Sequence, residues 1–273
     1  ITEGKGLKTN RVMCLLKDHW NNIWIGTSGE GVLRHTSQLF SYYNLYDHGF
    51  SGNRIYAMTG DTTGGIWMSV NQGILGYFNE NKFRQYTFDS LPLNTKIRSM
   101  ASDNYGRIWL GTEGKGLLII DSTRIINVSR ILKSPDSHII QILPGRDSGV
   151  WVATQRSGIM FISLSKNNQL AQVRSFTINE GLPDKFVNCI AGDKITGRIW
   201  FGCRNGTAGY IAENSEIFSF GNHHGLPGQS VKTMCTDSSG RVYLAIVNQG
   251  VYTTFGNQNP RFNPIKGISS KDY

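Results

Sequence analysis

The chain has 273 residues, enough for a large core, with 39% apolar residues, 32 Gly, 7 Pro and a formal net charge of +9. No apolar run approaches bilayer length and no signal peptide is visible; no run of five or more Lys/Arg occurs, and the four cysteines form no C-x-x-C pair or Cys/His cluster at zinc spacing. The charge raises the expectation of an anionic partner (nucleic acid, acidic glycan or membrane surface), and the scattered basic residues argue against nucleic acid.

A first unit, DHWNNIWIGTSGEGVLR, begins at Asp18 and holds a turn, an apolar run with Trp24, a Gly-rich turn and a second apolar run. The unit returns from Asp61 with Trp67, from Asp103 with Trp109, from Gly145 with Trp151, from Asp193 with Trp200 and from Asp237 with Tyr243. The anchor aromatics are 43, 42, 42, 49 and 43 residues apart, and of the six tryptophans only Trp20 lies outside the register. A fixed period in this range marks a repeat architecture.

The third period parses most clearly. Residues 96–101 (KIRSMA) read as a strand that alternates poorly, as one near a core would. Residues 103–106 are a turn, residues 107–112 (RIWLGT) a strand rich in β-formers, and residues 113–116 a tight turn in which Gly supplies positive φ. A third strand covers residues 117–121 and a weaker fourth lies near residues 125–129. No dozen residues sustain helical apolar spacing without a Gly, so almost no helix is expected. Four antiparallel strands per period describe a β-propeller blade. The expected fold class is therefore all-β, a β-propeller of six four-stranded blades over residues 1–273, six-bladed or part of a seven-bladed or tandem propeller. Gly6 and Gly267 open the same loop 261 residues apart, which gives six whole periods. The chain opens on Ile1, which suggests a processed or excised piece.

The anchor aromatics read as blade packing, and the aspartates at 18, 61, 103 and 237 as turn residues that accept local N–H bonds. Cys14 and Cys189 fall at matching positions in apolar strands and read as small buried hydrophobes.

The consensus GL-x-x-N-x-V … D-x-x-G-x-I-W-I-G-T-x-x-G-G-L resembles the two-component regulator propeller repeat, carried best by Trp24-Ile25-Gly26-Thr27 and Trp109-Leu110-Gly111-Thr112. Ala153-Thr154 and Gly202-Cys203 depart modestly, while Ser69-Val70 and Ala245-Ile246 lose the Gly-Thr pair. The resemblance implies the periplasmic sensor region of a hybrid two-component histidine kinase of Bacteroidetes. It implies further domains of the same chain (a β-sandwich, a membrane helix and a kinase) and a ligand that is a glycan breakdown product. Self-association of the full-length protein is a further partner expectation. A weaker resemblance is to streptogramin lyase, whose catalytic His and Glu find no secure counterpart here.

Loops on a rigid scaffold are where function concentrates. Before the first strands stand Arg11, Arg54, Lys96, His138, Lys185 beside Phe186, and Gln229 beside Ser230; the turns between second and third strands offer Glu30, Gln72, Lys115, Arg156, Arg204 and Gln249. The basic members, Arg11, Arg54, Lys96, Lys115, His138, Arg156, Lys185 and Arg204, are the candidate ligand-binding residues. They suit carboxylate or sulfate, hence a small acidic oligosaccharide at the propeller funnel or a domain interface. The bland reading is solvated loop charge. Tyr56 and Phe186 are candidates for stacking on sugar rings or for packing. His223-His224 lacks a third ligand at metal spacing and reads as loop; no metal, cofactor or catalytic residue is expected. Two other classes are weighed: a propeller lyase or hydrolase on an acidic substrate, with Glu30 and His138 as the nameable acid–base pair, and a protein-interaction scaffold.

Overall fold

The repeat becomes structure because each period buries most of its second and third strands and leaves the fourth half wet. The computed structural model describes residues 11–36, 39–71, 73–88, 91, 94–121, 124–132, 138–145, 149–255 and 259–266. Gly6, Gly267 and Gln72 lie outside them. Among these residues are six four-stranded antiparallel sheets, in each of which spatial order follows chain order: an all-β, six-bladed propeller. By chain contacts the molecule divides into two compact units, Ile1–Ser148 and Gly149–Tyr273.

The first unit holds blade one (β1 Val12–Lys17, β2 Ile23–Thr27, β3 Val32–His35, β4 Phe40–Tyr43) and blade two (β5 Ile55–Gly60, β6 Ile66–Val70, β7 Ile74–Asn79, β8 Lys82–Tyr86). It also holds blade three (β9 Ile97–Ser102, β10 Ile108–Thr112, β11 Leu117–Asp121, β12 Arg124–Asn127) and β13, Ile139–Pro144. The first strands β1, β5, β9 and β13 stand side by side in that order. Trp24 is 1% exposed and reaches Phe78 of the next blade at 4.9 Å between ring centroids. Ile108, Leu110 and Leu118 of blade three share a core with Ala57 and Leu75 of blade two. In β1, Val12, Met13 and Leu15 are exposed, whereas Ile55 and Met58 of β5 are buried.

The second unit holds β14 (Gly149–Thr154), β15 (Ile159–Leu164) and β16 (Leu170–Phe176). Blade five follows (β17 Val187–Gly192, β18 Ile199–Cys203, β19 Ala208–Ile211, β20 Ile217–Phe220), then blade six (β21 Val231–Thr236, β22 Val242–Ile246, β23 Gly250–Phe255, β24 Arg261–Pro264). Trp200 meets Phe262 of the neighbouring blade edge-on at 6.5 Å. Every fourth strand is largely exposed or half-exposed, as in β16, where only Phe176 is buried.

Two consensus residues have a packing cause. A Cβ on Gly26 would lie 2.7 Å from Ile55, and one on Gly111 2.7 Å from Ile139, each the opening residue of the next first strand. The Gly of W-x-G-T is thus the slot into which the following blade seats. Thr27 and Thr112 close the next turn: each hydroxyl donates to the carbonyl of Gly31 or Gly116, at 2.8 and 2.6 Å, and accepts the N–H of Glu30 or Lys115 at 3.0 Å.

Helix is scarce, as expected: one five-residue α-helix, Val128–Leu132, and three 3-10 turns among the described residues. The helix takes Val128 and Ser129 out of the expected fourth strand, which ends at Asn127. Asn127 Oδ1 accepts the N–H of Arg130 at 3.1 Å, so a local side-chain bond competes successfully with the strand. His224 sits in the 3-10 turn Asn222–His224, where its Nδ1 accepts the N–H of Gly221 at 3.3 Å and its ring meets Phe220 at 5.1 Å. Glu180 caps the turn Ile178–Glu180 from the same position, so His224 is a cap.

The aspartates do more than close turns. Asp18 takes the indole N–H of Trp24 at 2.9 Å, Asp103 that of Trp109 at 2.8 Å, and Asp237 the hydroxyl of Tyr243 at 3.1 Å. Blade five breaks the pattern. Asp193 and Trp200 are seven residues apart rather than six. Asp193 bonds Thr196 instead, and the buried Trp200 Nε1 has no partner.

Candidate ligand-binding site

Five of the first strands, β1, β5, β9, β17 and β21, open with a defect. The ladder between first and second strands slips by one residue between Val12 and Cys14, Ile55 and Ala57, Ile97 and Ser99, Val187 and Cys189, and Val231 and Thr233. The residue skipped is Met13, Tyr56, Arg98, Asn188 or Lys232. This is a β-bulge, a device that releases one residue from the ladder and re-aims its side chain. It recurs at the end of the sheet where the preceding loop and the β2–β3-type turn meet. A backbone bond ties those two: the N–H after the second strand donates to the residue before the first, as in Ser28 to Arg11 and Asn71 to Arg54 at 3.0 and 2.8 Å. Glu113 to Lys96 and Arg204 to Phe186 repeat it at 2.9 and 3.0 Å.

In the first unit this geometry collects charge on blade three. Arg98 Nε and Nη2 both donate to Glu113 Oε2, at 2.9 and 2.6 Å, and Lys96 Nζ lies 3.5 Å from Glu113 Oε1. The Arg98 guanidinium also sits 5.4 Å over the ring of Tyr56, the bulge residue of blade two. The hydrogen bonds from Arg98 hold the Glu113 carboxyl below its usual range; burial opposes them, and the charges of Arg98 and Lys96 add to the lowering. His138 pairs with Glu113 through a backbone bridge. Lys96 is thus brought to the Glu113 side chain, and His138 to the Glu113 backbone. Arg54 is exposed and pairs through its backbone with Ser28; its N–H also donates to Asn71 Oδ1 at 3.3 Å. Arg11 and Lys115 are exposed residues of the same loop sets.

In the second unit Phe186 is the centre. Lys185 Nζ lies 5.3 Å from its ring centroid and the Arg204 guanidinium 5.5 Å, so two cations share one aromatic face system. Asn188 Nδ2 donates to Ser230 Oγ and Val231 O, both at 2.9 Å, and links the bulge of blade five to blade six. Arg156 is an exposed turn residue. The turn residues do not hold one register position: Arg204 directly follows its second strand, Arg156 comes second after it, and Lys115 third. Residues equivalent to Arg54 and Lys96 are Phe186 and Ser230, with Lys185 one step earlier.

Arg98, Glu113, Asn188 and Lys232 were absent from the expected set. Their signal lay in the poor alternation of stretches such as KIRSMA, which marks the bulge. Glu30 and His138 sit on different blades, with Tyr42 and Glu113 as their respective neighbours. Among the described residues no group of three or more His, Cys, Asp or Glu is placed to hold a metal. All four cysteines are free; burial pushes the Cys14 thiol up to about 12 and raises that of Cys189 further.

Comparison with known proteins places this geometry. The two-component regulator propeller matches residues 6–29 and 90–114. No curated protein matches the chain. Among solved structures, an extracellular domain of a hybrid two component system of B. thetaiotaomicron aligns with TM-score 0.73 and 20% identity, over 98% of this chain and 34% of that one. Virginiamycin B lyase of Staphylococcus aureus aligns at TM-score 0.73 and 15% identity, over 94% and 85%. PorZ, a surface component of the type-IX secretion system of Porphyromonas gingivalis, aligns at 0.70 and 14%, over 90% and 40%. At these identities the likenesses concern the fold, and this chain spans about a third of the length of the two-component extracellular domains. Two segments of the chain, in blades one and three, thus match the two-component regulator propeller repeat.

Proposed function

We propose that the chain is the extracytoplasmic, ligand-sensing module of a hybrid two-component sensor, itself without catalysis. Its ligand is a small oligosaccharide bearing a carboxylate or sulfate. It docks at the bulge end of the blades, and binding biases the geometry passed to a downstream kinase in the same protein. The observation that carries this reading is the Arg98–Glu113–Lys96 group beside Tyr56: two cations and an aromatic ring, positioned by a repeated bulge, with an internal carboxylate standing where a ligand's acid would bind. Arg presents a planar fork to such groups and Tyr an apolar face to a sugar ring. Phe186 with Lys185 and Arg204 repeats the same chemistry in the second unit. The match to the two-component repeat and the fold likeness to sensor extracellular domains support the setting. A ligand signals only through different affinity for two states, so nothing beyond binding is required of this part of the chain. Calorimetric titration against matched acidic and neutral oligosaccharides tests the reading. Preference for acidic members supports it, and indifference to acid groups contradicts it.

A further inference from the structure

At the opposite end of the blades, away from the bulges, a cavity of about 360 Å³ opens between blades one and two. That volume is at the small end of ligand pockets, which run about 300–1,000 Å³. Its lining includes Trp24, Ile66 and Phe78, which are buried at 1%, 2% and 7% exposure. Asp18 also lines it, but both its oxygens are occupied: Oδ1 by the N–H groups of Trp20 and Asn22, Oδ2 by Asn22 Nδ2 and Trp24 Nε1. Arg34 is different. Its guanidinium lies 5.6 Å over Trp24, and its Nε is buried with no hydrogen-bond partner. The guanidinium as a whole lines the cavity, and its N–H groups can donate only, so it calls for an acceptor there.

Beside this cavity stands Trp20, 61% exposed, a large aromatic surface that gains little from folding. It is held rather than loose. His19 meets its ring at 3.5 Å, and the pair lies on Gly64 of blade two, where a Cβ would come within 2.6 Å of His19 and 3.1 Å of Trp20. Glu80, in the β7–β8 turn at positive φ, adds an exposed carboxylate on the far side. Of the charged lining groups, Arg34 contributes +1 and Asp18 and Glu80 −1 each, a sum of −1. The sign is opposite to that of the bulge end and disfavours an anion.

We infer that this cavity is a separate binding site for a neutral, hydroxylated ring the size of one sugar. Its flat C–H face lies on Trp20, one ring oxygen or hydroxyl accepts from the Arg34 guanidinium, and Glu80 accepts from another hydroxyl. The site uses no residue of the bulge end and is independent of the function proposed there.

The test is ligand-observed NMR titration of the intact chain with D-glucose, D-galactose and D-mannose, and with glucuronate and galacturonate as charged counterparts. At least one neutral sugar is expected to bind saturably in the millimolar range. Trp20→Ala should weaken it tenfold or more, and Arg98→Ala should leave it unchanged. The matching uronate should bind more weakly, with Glu80→Gln narrowing the gap. Trp20 is exposed, so its variant keeps the fold, and unchanged thermal unfolding verifies this. Absence of saturable binding by all three neutral sugars, binding indifferent to Trp20→Ala, or preference for the uronate overturns the inference.

Discussion

In the proposed site, Glu113 is one side chain with two roles: it orders Arg98 and Lys96, and it occupies them. Its pairs with Arg98 and Lys96 are 35–41% exposed, so solvent screens them. Exposed pairs of this kind are worth about 0.2–1 kcal/mol, so removing the carboxylate should free the cations at little cost to folding. Glu113→Gln is expected to tighten binding of an acidic oligosaccharide by roughly 1.5- to 5-fold, read by calorimetry. The pH dependence has a definite sign. Glu113 is held low, so it stays ionised and competes at neutral pH, and its contribution to stability is lost only as pH falls through that lowered value. A sulfated ligand, ionised throughout, should therefore bind more tightly as pH drops below the usual carboxylate range. Asp103 has the opposite character. It is fully buried, 2.6 Å from Arg107 Nε, and it also holds the Trp109 indole. Asp103→Ala removes the carboxylate bonded to a buried guanidinium, and chemical denaturation should register a loss of about 3–5 kcal/mol. Asp237→Ala, at an exposed turn, should register much less.

At the scale of the strand, the blade was legible from sequence because its rules are local. The anchor aromatic, the turn aspartate and the W-x-G-T glycine each recur at fixed spacing, and the strand boundaries of blade three fall within a residue or two of those expected. What local pattern concealed was contact between blades. The cause of the glycine, an isoleucine some 28 residues onward, becomes visible only once first strands stand side by side. Gly111→Ala should therefore be destabilising by about 1–3 kcal/mol in urea denaturation, because its Cβ meets Ile139 rather than open space. A neutral result would mean that β13 yields easily at this seam. The bulge was hidden for a related reason. Reading KIRSMA as a poor alternation detects a disturbed strand, but which side chain the disturbance frees depends on pairing register. So Lys96 was legible as a loop cation, while Arg98, which makes the shorter contacts, was not. Likewise Trp20 stood out only as the tryptophan outside the repeat, and the cavity beside it is formed jointly with blade two.

For the whole molecule, the net charge is +9, and each unit gathers two cations around one group: Arg98 and Lys96 at Glu113 in the first, Lys185 and Arg204 at Phe186 in the second. Charge placed at loop ends raises the local concentration of an oppositely charged ligand, and salt screens that effect over about 8–10 Å at 0.10–0.15 M. The proposed sensor holds an acidic ligand at the bulge end through Arg98 and its neighbours. The most direct test is calorimetric titration of an acidic oligosaccharide into wild type and Arg98→Ala, each at low and high salt. The expected result is binding that weakens with salt in wild type and falls tenfold or more in Arg98→Ala with little change in thermal stability. Binding of equal strength in both proteins, insensitive to salt, would contradict it.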